Sequence, residues 1–263
     1  MEQKGHNHRQ KKPDMSSKQP ADEMIILIPA RMAASRLPNK PMAEIAGRPL
    51  IEHVWAGAMS ADIAPVWVAT DHADIYHHIT SLGGRAVMTR ADHPSGSDRI
   101  HEAIEAIDPK GRYQKLINLQ GDLPTITSEA INALARLLNT NNCDLATLVA
   151  PASAEEVARS QVVKAVMSWD DDNHQCGRAH YFSRQAVPHN AETYWHHIGL
   201  YGWQRAALAR FVTLPPSPLE LSEKLEQLRA LEAGMLIQAS AIDEAPGGVD
   251  TEEDLNAVRA LFA

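Results

Sequence analysis

From residue 24 onwards, apolar residues follow two patterns in turn, a continuous run and then a helical spacing. The run MIILIPA at 24–30 is typical of a strand that is buried on both faces. A helical spacing follows at Leu50, Ile51, Val54, Trp55 and Ala58. The same two patterns predict strands at 66–71, 86–89, 115–122 and 144–150, and helices at 74–84, 97–107 and 128–139. This order with short connections predicts an α/β fold, a mostly parallel sheet with helices on both faces.

The pattern changes after Pro151, where strands follow one another without intervening helices. Strands are predicted at 162–169, 179–184, 196–203 and 236–242, and helices at 204–212, 217–234 and 251–262. We interpret 151–218 as a small β-rich lobe folded onto the main sheet, within a single domain at 24–263. The sheet as a whole is therefore expected to be mixed.

The first 23 residues contain few apolar side chains and mix basic residues with acids. Such a segment cannot bury enough apolar surface to order itself, so a disordered tail is predicted at 1–23. It also has no apolar core of the kind found in signal peptides. Elsewhere no apolar run approaches the roughly 18 residues that a membrane-spanning helix needs, so no membrane partner is expected.

The chain has 263 residues, with 33 acidic residues against 25 basic ones and a formal net charge of -8. This acidic balance disfavours a nonspecific nucleic-acid binder, which needs an excess of Lys and Arg to neutralise phosphates. The two cysteines, Cys143 and Cys176, lie far apart in the sequence and cannot make a disulfide framework or a structural zinc site alone. A reducing cytoplasm is therefore the expected compartment.

A basic loop directly follows the first predicted strand. It carries Arg31, Arg36 and Lys40 within ten residues, at the edge of the sheet where parallel strands usually bind ligands. Three cations there suit a polyphosphate, because guanidinium forks and an ammonium can neutralise successive phosphate groups. The chain has neither G-x-G-x-x-G nor G-x-x-x-x-G-K-[ST], which disfavours dinucleotide-binding and P-loop sites.

Carboxylates at two further strand ends are candidate ligands for Mg²⁺. Asp122 stands in QGDLP after the fourth predicted strand, and Asp250 stands in GGVDT before the final helix. Mg²⁺ usually takes one or two carboxylates and completes its shell with water and phosphate oxygens. The spacing alone leaves ordinary roles open, since Asp122 could close a turn and Asp250 could favour the helix dipole.

The segment HPSGSDRI at 93–100 offers a glycine and hydroxyl groups before Arg99. Small groups allow the backbone to approach a planar base closely, and an arginine there can pair with a carboxylate. A serine-capped helix with a surface arginine is the alternative.

Together these segments resemble the 3-deoxy-manno-octulosonate (Kdo) cytidylyltransferases, also called CMP-Kdo synthetases. The resemblance runs from residue 25 to near 262 through these segments: IPARMAASRLPNKPMAEIAGRPLIEHVW, VATDHADI, HPSGSDRI, NLQGDLPTI, YFSR, HHIGLYG, LPPSPLELSEKLEQLRALEAG and GVDTEEDL. It implies a nucleotide-diphospho-sugar transferase-like fold and a soluble homodimer formed through the lobe. It also implies that CTP activates Kdo to give CMP-Kdo and pyrophosphate, for lipopolysaccharide biosynthesis.

The resemblance also implies a role for individual residues. Arg31, Lys40 and Asp122 would be catalytic, and Asp122 and Asp250 would bind Mg²⁺. The nucleotide would be held by Arg31, Arg36, Lys40, Ser95, Gly96 and Gln120. The pocket for the sugar acid would be lined by Arg99, Tyr181, Ser183, Arg184, His197, Glu226 and Gln227.

Two departures and three rival functions stay open at this stage. Many family members have Glu where this chain has Leu123, and the stretch 169–177 is longer and more acidic than the usual hairpin. A glycosyltransferase would need a D-x-D motif, which Asp170 and Asp172 supply formally. A catalytically silent sensor, or a cytidylyltransferase for sialic acid or 8-amino-Kdo, would share most of the same residues.

Overall fold

The predicted strands and helices assemble around one mixed sheet in the computed structural model, which describes residues 23–33, 37–140 and 142–262. The predicted tail at 1–23 lies almost entirely outside these ranges, and so does Arg36. Within them the strands are Met24–Ala30 (β1), Glu44–Ile45 (β2), Arg48–Pro49 (β3), Val66–Thr70 (β4), Arg85–Met88 (β5), Lys115–Asn118 (β6), Leu145–Pro151 (β7), Lys164–Trp169 (β8), Gly177–Ser183 (β9), Trp195–Gln204 (β10) and Ile237–Ala241 (β11).

The helices alternate with these strands in the first half of the chain, as the apolar spacing predicts. In the described ranges they are Leu50–Ser60 (α1), Ala73–Ser81 (α2), Gly96–Ile107 (α3), Ser128–Thr140 (α4), Ala154–Ala158 (α5), Arg205–Phe211 (α6), Pro218–Glu223 (α7), Gln227–Glu232 (α8) and Glu252–Leu261 (α9). A short 3-10 turn at Lys40–Met42 and the hairpin of β2 and β3 follow the basic loop.

The main sheet has nine strands in the order β5-β4-β1-β6-β10-β7-β11-β9-β8. The first four of these strands are parallel neighbours, and β7 and β11 form a second parallel pair. Strand β10 runs antiparallel between β6 and β7 and joins the two parallel groups. The predicted fold class, an α/β protein with a mixed sheet flanked by helices, is confirmed.

Strand β1 shows why the sheet is covered on both faces. Ile26 and Ile28 point into a core with α1 and α4, whereas Ile25 and Leu27 point into a second core with α3 and α6. Successive side chains of a strand face opposite sides, so a strand covered on both faces must be apolar at every position. This is the physical reason for the unbroken run MIILIPA.

The strands of the region 151–218 are hydrogen-bonded into the main sheet. Strands β8 and β9 extend the main sheet, and β10 is one of its inner strands, so these strands do not form a separate sheet. Segment 196–203, which the resemblance assigned to the dimerising lobe, therefore lies within the sheet. Sequence periodicity does not show which strands become neighbours, because an antiparallel strand has the same alternation at any position in a sheet.

The predicted helix at 217–234 is two helices. The helix is interrupted at Lys224, which adopts a left-handed conformation with φ of 56°. The Arg184 guanidinium donates to the carbonyl oxygens of Glu223 (2.7 Å) and Lys224 (3.3 Å), which satisfies acceptors at the end of α7. Apolar spacing continues through the break, so the pattern alone gave no sign of it. Among helices in the described ranges, none has the combined length and apolar composition needed to cross a bilayer.

Arg205 ties the start of α6 to the end of α3 in a largely buried ion pair. Its guanidinium lies 2.9 Å from an Asp108 carboxylate oxygen and 2.8 Å from Glu105. Burial raises the pKa of Asp108, but backbone N–H donors from Tyr113 and Arg112 and the Arg205 charge more than offset this, so the pKa lies below its ordinary value.

Arg205→Met should lower the free energy of unfolding by about 3 kcal/mol, because it leaves the Asp108 carboxylate buried without its cation. Since the folded pKa of Asp108 is depressed, this stabilisation is complete above the unfolded carboxyl pKa of about 3.9 and disappears as the pH falls through the folded value. Urea unfolding at pH 7 and below pH 4 measures both effects. Arg210→Met, on the exposed face of the same helix, is the matched control. A pH-independent difference would contradict the assignment to the ion pair.

Candidate active site

A cleft of about 240 Å³ opens where β1 and β6 end, at the edge of the sheet that their common direction predicts. It brings together residues from four distant segments of the chain. The predicted nucleotide and metal residues that line it are Arg31, Lys40, Ser95, Gly96, Gln120, Asp122 and Asp250. Arg36, the remaining predicted nucleotide ligand, lies outside the described residues.

The Lys40 ammonium lies at the centre of the acidic side of the cleft. Its Nζ donates to Asp122 Oδ2 at 2.8 Å, to the Val249 carbonyl oxygen at 2.8 Å and to Asp250 Oδ1 at 3.2 Å. The Lys40 side chain is 15% exposed, while those of Asp122 and Asp250 are 33% and 53% exposed. Two carboxylates from segments more than a hundred residues apart in the sequence therefore converge on one positive charge.

Backbone hydrogen bonds hold the segment that carries Asp250 against the segment that carries Asp122. The Val249 N–H donates to the Asp122 carbonyl oxygen at 2.9 Å, and the Gly247 N–H donates to Thr125 Oγ1 at 2.6 Å. Leu123 is buried in the main core, and a Cβ added at Gly248 would meet its side chain at 3.5 Å. Leu123 thus packs beneath the loop without adding a charge to the cleft.

Two glycines allow the wall of the cleft to close around the end of β1. A Cβ at Gly121 would lie 2.7 Å from the Pro29 carbonyl oxygen, too close for any other residue without a backbone shift. A Cβ at Gly96 would lie 3.3 Å from the Pro29 ring and 3.4 Å from Gln120 Oε1. These contacts place Gln120 beside the Ser95–Gly96 turn, as expected for residues that share a ligand.

Helix α3 begins at the cleft. Ser95 is its N-cap and accepts from the Asp98 backbone N–H at 3.2 Å, while its hydroxyl donates to Asp98 Oδ2 at 2.6 Å. The first turn of a helix presents unpaired N–H groups and the positive end of the helix dipole. This arrangement favours an anionic or polar group of a ligand near Gly96.

The donor set fits Mg²⁺. Asp122, Asp250 and the Val249 carbonyl offer oxygen atoms only, all within 3.2 Å of one point that Lys40 Nζ occupies. Among the described residues there is no group of three or more His, Cys, Asp or Glu side chains that could hold a metal ion by itself. Two carboxylates are enough for Mg²⁺ when phosphate oxygens and water complete its shell.

Three of the predicted sugar-acid residues gather around Glu223, which the sequence did not indicate. Its carboxylate accepts from Ser183 Oγ at 2.7 Å and from the Arg184 backbone N–H at 3.0 Å. Burial, and then the charge of Glu223, raise the pKa of Tyr181. Arg184 uses its guanidinium on backbone carbonyls, including Ser160 at 3.1 Å. None of these residues lines the 240 Å³ cleft, so their contact with a sugar acid stays a prediction.

Three more of the predicted residues, His197, Glu226 and Gln227, lie where β10 faces the start of α8. Burial lowers the pKa of His197 to about 3, so its imidazole is neutral and acts through hydrogen bonds. Its Nε2 lies 3.1 Å from Thr147 Oγ1, and Gln227 Nε2 approaches its Nδ1 at 3.5 Å. Burial raises the pKa of Glu226. The Ser97 hydroxyl donates to Glu226 at 3.1 Å, and this hydrogen bond connects Glu226 to the Ser95–Gly96 turn of the cleft.

Arg99 reaches the cleft but is already paired. Its side chain is 2% exposed, and Nη2 lies 3.1 Å from Asp71 Oδ2. The prediction that it pairs with a substrate carboxylate therefore has an internal competitor. Sequence analysis missed Asp71, although the same rule that selected Asp122, an acid directly after a parallel strand, applies to it. It also missed His93, which lines the cleft and whose imidazole forms a hydrogen bond with the Glu102 carboxylate.

Comparisons with known proteins identify the family of the chain. A family model described as cytidylyltransferase matches residues 25–237. The 3-deoxy-manno-octulosonate cytidylyltransferase of Methylobacterium radiotolerans is 53% identical over 90% of this chain and 96% of its own length. The protein of the same name from Azorhizobium caulinodans is 52% identical over 92% of this chain and 97% of its own length.

Known structures give the same result. A CMP:2-keto-3-deoxy-manno-octonic acid synthetase complexed with CTP superposes with a TM-score of 0.82 at 38% identity, over 91% of this chain and 98% of the other. The 4-diphosphocytidyl-2C-methyl-D-erythritol synthase of Anaerococcus prevotii, at 12% identity and a TM-score of 0.61 over 92% of this chain and 99% of its own, shares the fold. With relatives more than 50% identical over nine tenths of its length, this chain belongs to the 3-deoxy-manno-octulosonate cytidylyltransferases of the cytidylyltransferase family.

Proposed function

We propose that the protein transfers a cytidylyl group from CTP to the sugar acid Kdo, giving CMP-Kdo and pyrophosphate. The observation that carries this proposal is the convergence of Arg31, Lys40, Asp122 and Asp250 on one cleft beside Gln120 and the Ser95–Gly96 turn. Cations and carboxylates at the end of a parallel sheet are what a metal-bound polyphosphate needs. The names and identities of the relatives supply the substrate pair.

In the proposed reaction the 2-hydroxyl group of the sugar acid loses its proton to water, and its oxygen forms a bond to the α-phosphorus of CTP. The bond from that phosphorus to the bridging oxygen breaks, and pyrophosphate leaves with its electron pair. Arg31 and Lys40 neutralise phosphate oxygens, and Gln120 with the Ser95–Gly96 turn holds the nucleotide. Catalysis then depends on alignment and charge, without a covalent protein nucleophile.

Asp122 and Asp250 are the proposed ligands of Mg²⁺. When bound, the ion supplies positive charge to the phosphates and lowers the pKa of a coordinated hydroxyl group. Because the Lys40 ammonium sits between the same oxygens, it is expected to move towards the phosphates when the metal and CTP bind. Its flexible side chain allows such a movement.

The geometry gives no support to the glycosyltransferase alternative. Asp170 and Asp172, which form the D-x-D sequence, lie between β8 and β9 and do not line the cleft. Asp170 Oδ2 accepts from Cys176 Sγ at 3.2 Å, and the Asp170 N–H donates to the Cys176 carbonyl oxygen at 2.9 Å. A silent sensor would not need both carboxylates that the cleft retains.

We also propose a cytoplasmic homodimer. Both cysteines, Cys143 and Cys176, are free thiols, which suits a reducing compartment. The LPPSP segment leads directly into α7, on which Leu219 and Leu221 are 38% and 65% exposed. Exposed leucines on this short helix are available for a protein contact.

Pyrophosphate release with CTP, Mg²⁺ and a panel of sugar acids tests the reaction. Kdo should support release, whereas sialic acid should not, and 8-amino-Kdo tests how finely the pocket discriminates. Asp122→Asn and Asp250→Asn should each lower kcat by roughly a hundredfold or more, because each removes a charge that holds the metal against the phosphates. Asp172→Asn is the matched control and should leave the rate unchanged. Full activity of Asp122→Asn would contradict the metal assignment.

Lys40→Met separates the two roles of the ammonium. Turnover should fall by roughly a hundredfold or more with the loss of a phosphate contact. Affinity of the protein alone for Mg²⁺ should rise about tenfold, because no cation then competes for the two carboxylates. Calorimetric titration with Mg²⁺ in the absence of nucleotide measures this. Lys110→Met, exposed and remote from the cleft, is the control. Unchanged or weaker binding of Mg²⁺ would show that the carboxylates do not form its site.

Leu221→Lys tests the dimer. A charge placed in the apolar contact should shift the sedimentation coefficient from that of a dimer to that of a monomer, without loss of folded structure. If wild-type protein sediments as a monomer, the proposed assembly is wrong.

A further inference from the structure

Asp71 joins two walls of the cleft, although it does not line the cleft itself. It directly follows β4, and its side chain is 9% exposed. Oδ1 accepts from the Met32 backbone N–H at 3.3 Å, and Oδ2 lies 3.1 Å from Arg99 Nη2. The two oxygens of one carboxylate therefore contact the loop after β1 and the first turn of α3.

The contact with Met32 fixes the beginning of the phosphate loop. Met32 directly follows Arg31, whose side chain lines the cleft, so its peptide group sets the position of the Arg31 main chain. Peptide units are planar, which leaves little freedom between the held amide and the preceding residue. Movement of Asp71 would displace the Arg31 guanidinium.

The contact with Arg99 extends the same connection to the opposite wall. Arg99 Nη1 donates to Thr89 Oγ1 at 2.6 Å, and the Thr89 backbone N–H donates to the Thr70 carbonyl oxygen at 2.8 Å. Thr89 begins the segment that leads to Ser95 and Gly96. Thus one buried ion pair holds the start of the phosphate loop and both ends of the segment that carries the nucleotide turn.

We propose that Asp71 is a positioning residue for CTP, acting through Met32 and Arg99, and that Arg99 is its structural partner instead of a contact for the sugar acid. This inference rests on the proposed function, because it assigns Asp71 a role in aligning the groups that hold CTP. The Arg99 side chain is 2% exposed, and its Nη1 and Nη2 already donate to Thr89 and Asp71, so it presents little surface to a substrate carboxylate.

The experiment compares wild type, Asp71→Asn, Arg99→Gln and the double variant. Asparagine has the shape of aspartate and still accepts from the Met32 N–H, but it removes the charge that holds Arg99. We expect the dissociation constant of CTP, measured by calorimetry without sugar acid, to rise roughly tenfold in each single variant. The KM for the sugar acid should stay within about twofold, since its pocket is not displaced.

The double variant tests whether the two residues act as one unit. If Arg99 acts through Asp71, loss of both side chains should weaken CTP binding no more than the larger single effect. Multiplied effects, or an increase in the KM for the sugar acid in Arg99→Gln, would overturn the proposal. So would CTP affinity that matches wild type in Asp71→Asn despite a lowered melting temperature, because Asp71 would then serve stability alone.

Asp74→Asn is the matched control, a nearby aspartate whose side chain is 70% exposed, and it should bind CTP as wild type does. The melting temperature of each variant shows whether it is folded. Each single variant leaves one buried charge without its partner, whereas the double variant removes both charges, so it can be measured even if a single variant unfolds. Wild-type protein that binds CTP but releases no pyrophosphate with Kdo contradicts the proposed sugar acid, and the CTP affinities still decide the role of Asp71. Wild-type protein that does not bind CTP overturns both.

Discussion

Opposite charges brought together from three distant segments are the interaction on which this cleft depends. Lys40, Asp122 and Asp250 come from the loop after β1, the end of β6 and the approach to α9. Each carboxylate would repel the other at this separation if no cation lay between them. The ammonium therefore makes the arrangement stable before any ligand arrives, while the partial exposure of the carboxylates leaves them accessible to one.

Close packing of the backbone fixes the positions of these charged groups. Gly121 lets the chain after β6 press against the end of β1, and backbone hydrogen bonds then attach the loop carrying Asp250 to the segment carrying Asp122. A site built on main-chain contacts tolerates changes in the side chains beneath it. Leu123 fills the core below the loop and supports the backbone there without contributing a charge.

Most of the fold could be predicted from the sequence because the main sheet is covered on both faces. A strand such as β1 must be apolar throughout, and a helix that packs on it must be apolar at every third or fourth position, so both leave a clear pattern. The break at Lys224 and the inner position of β10 leave none. Likewise, charged residues after strands identified the nucleotide side of the cleft, but the role of Glu223 depends on tertiary contacts between β9 and α7 that no local pattern records.

The inner position of β10 has a consequence for the order in which the chain folds. Strands β1, β4, β5 and β6 lie within the first 118 residues and can pair as soon as that part of the chain has left the ribosome. This sheet has two edges: β5 remains an edge strand of the finished sheet, whereas β6 stays unpaired on one side until β10 is synthesised some eighty residues later. An open edge of this kind is a template for pairing with another chain. The nascent protein thus passes through an interval in which this side of β6 is open, and β10 ends that interval by pairing with both β6 and β7.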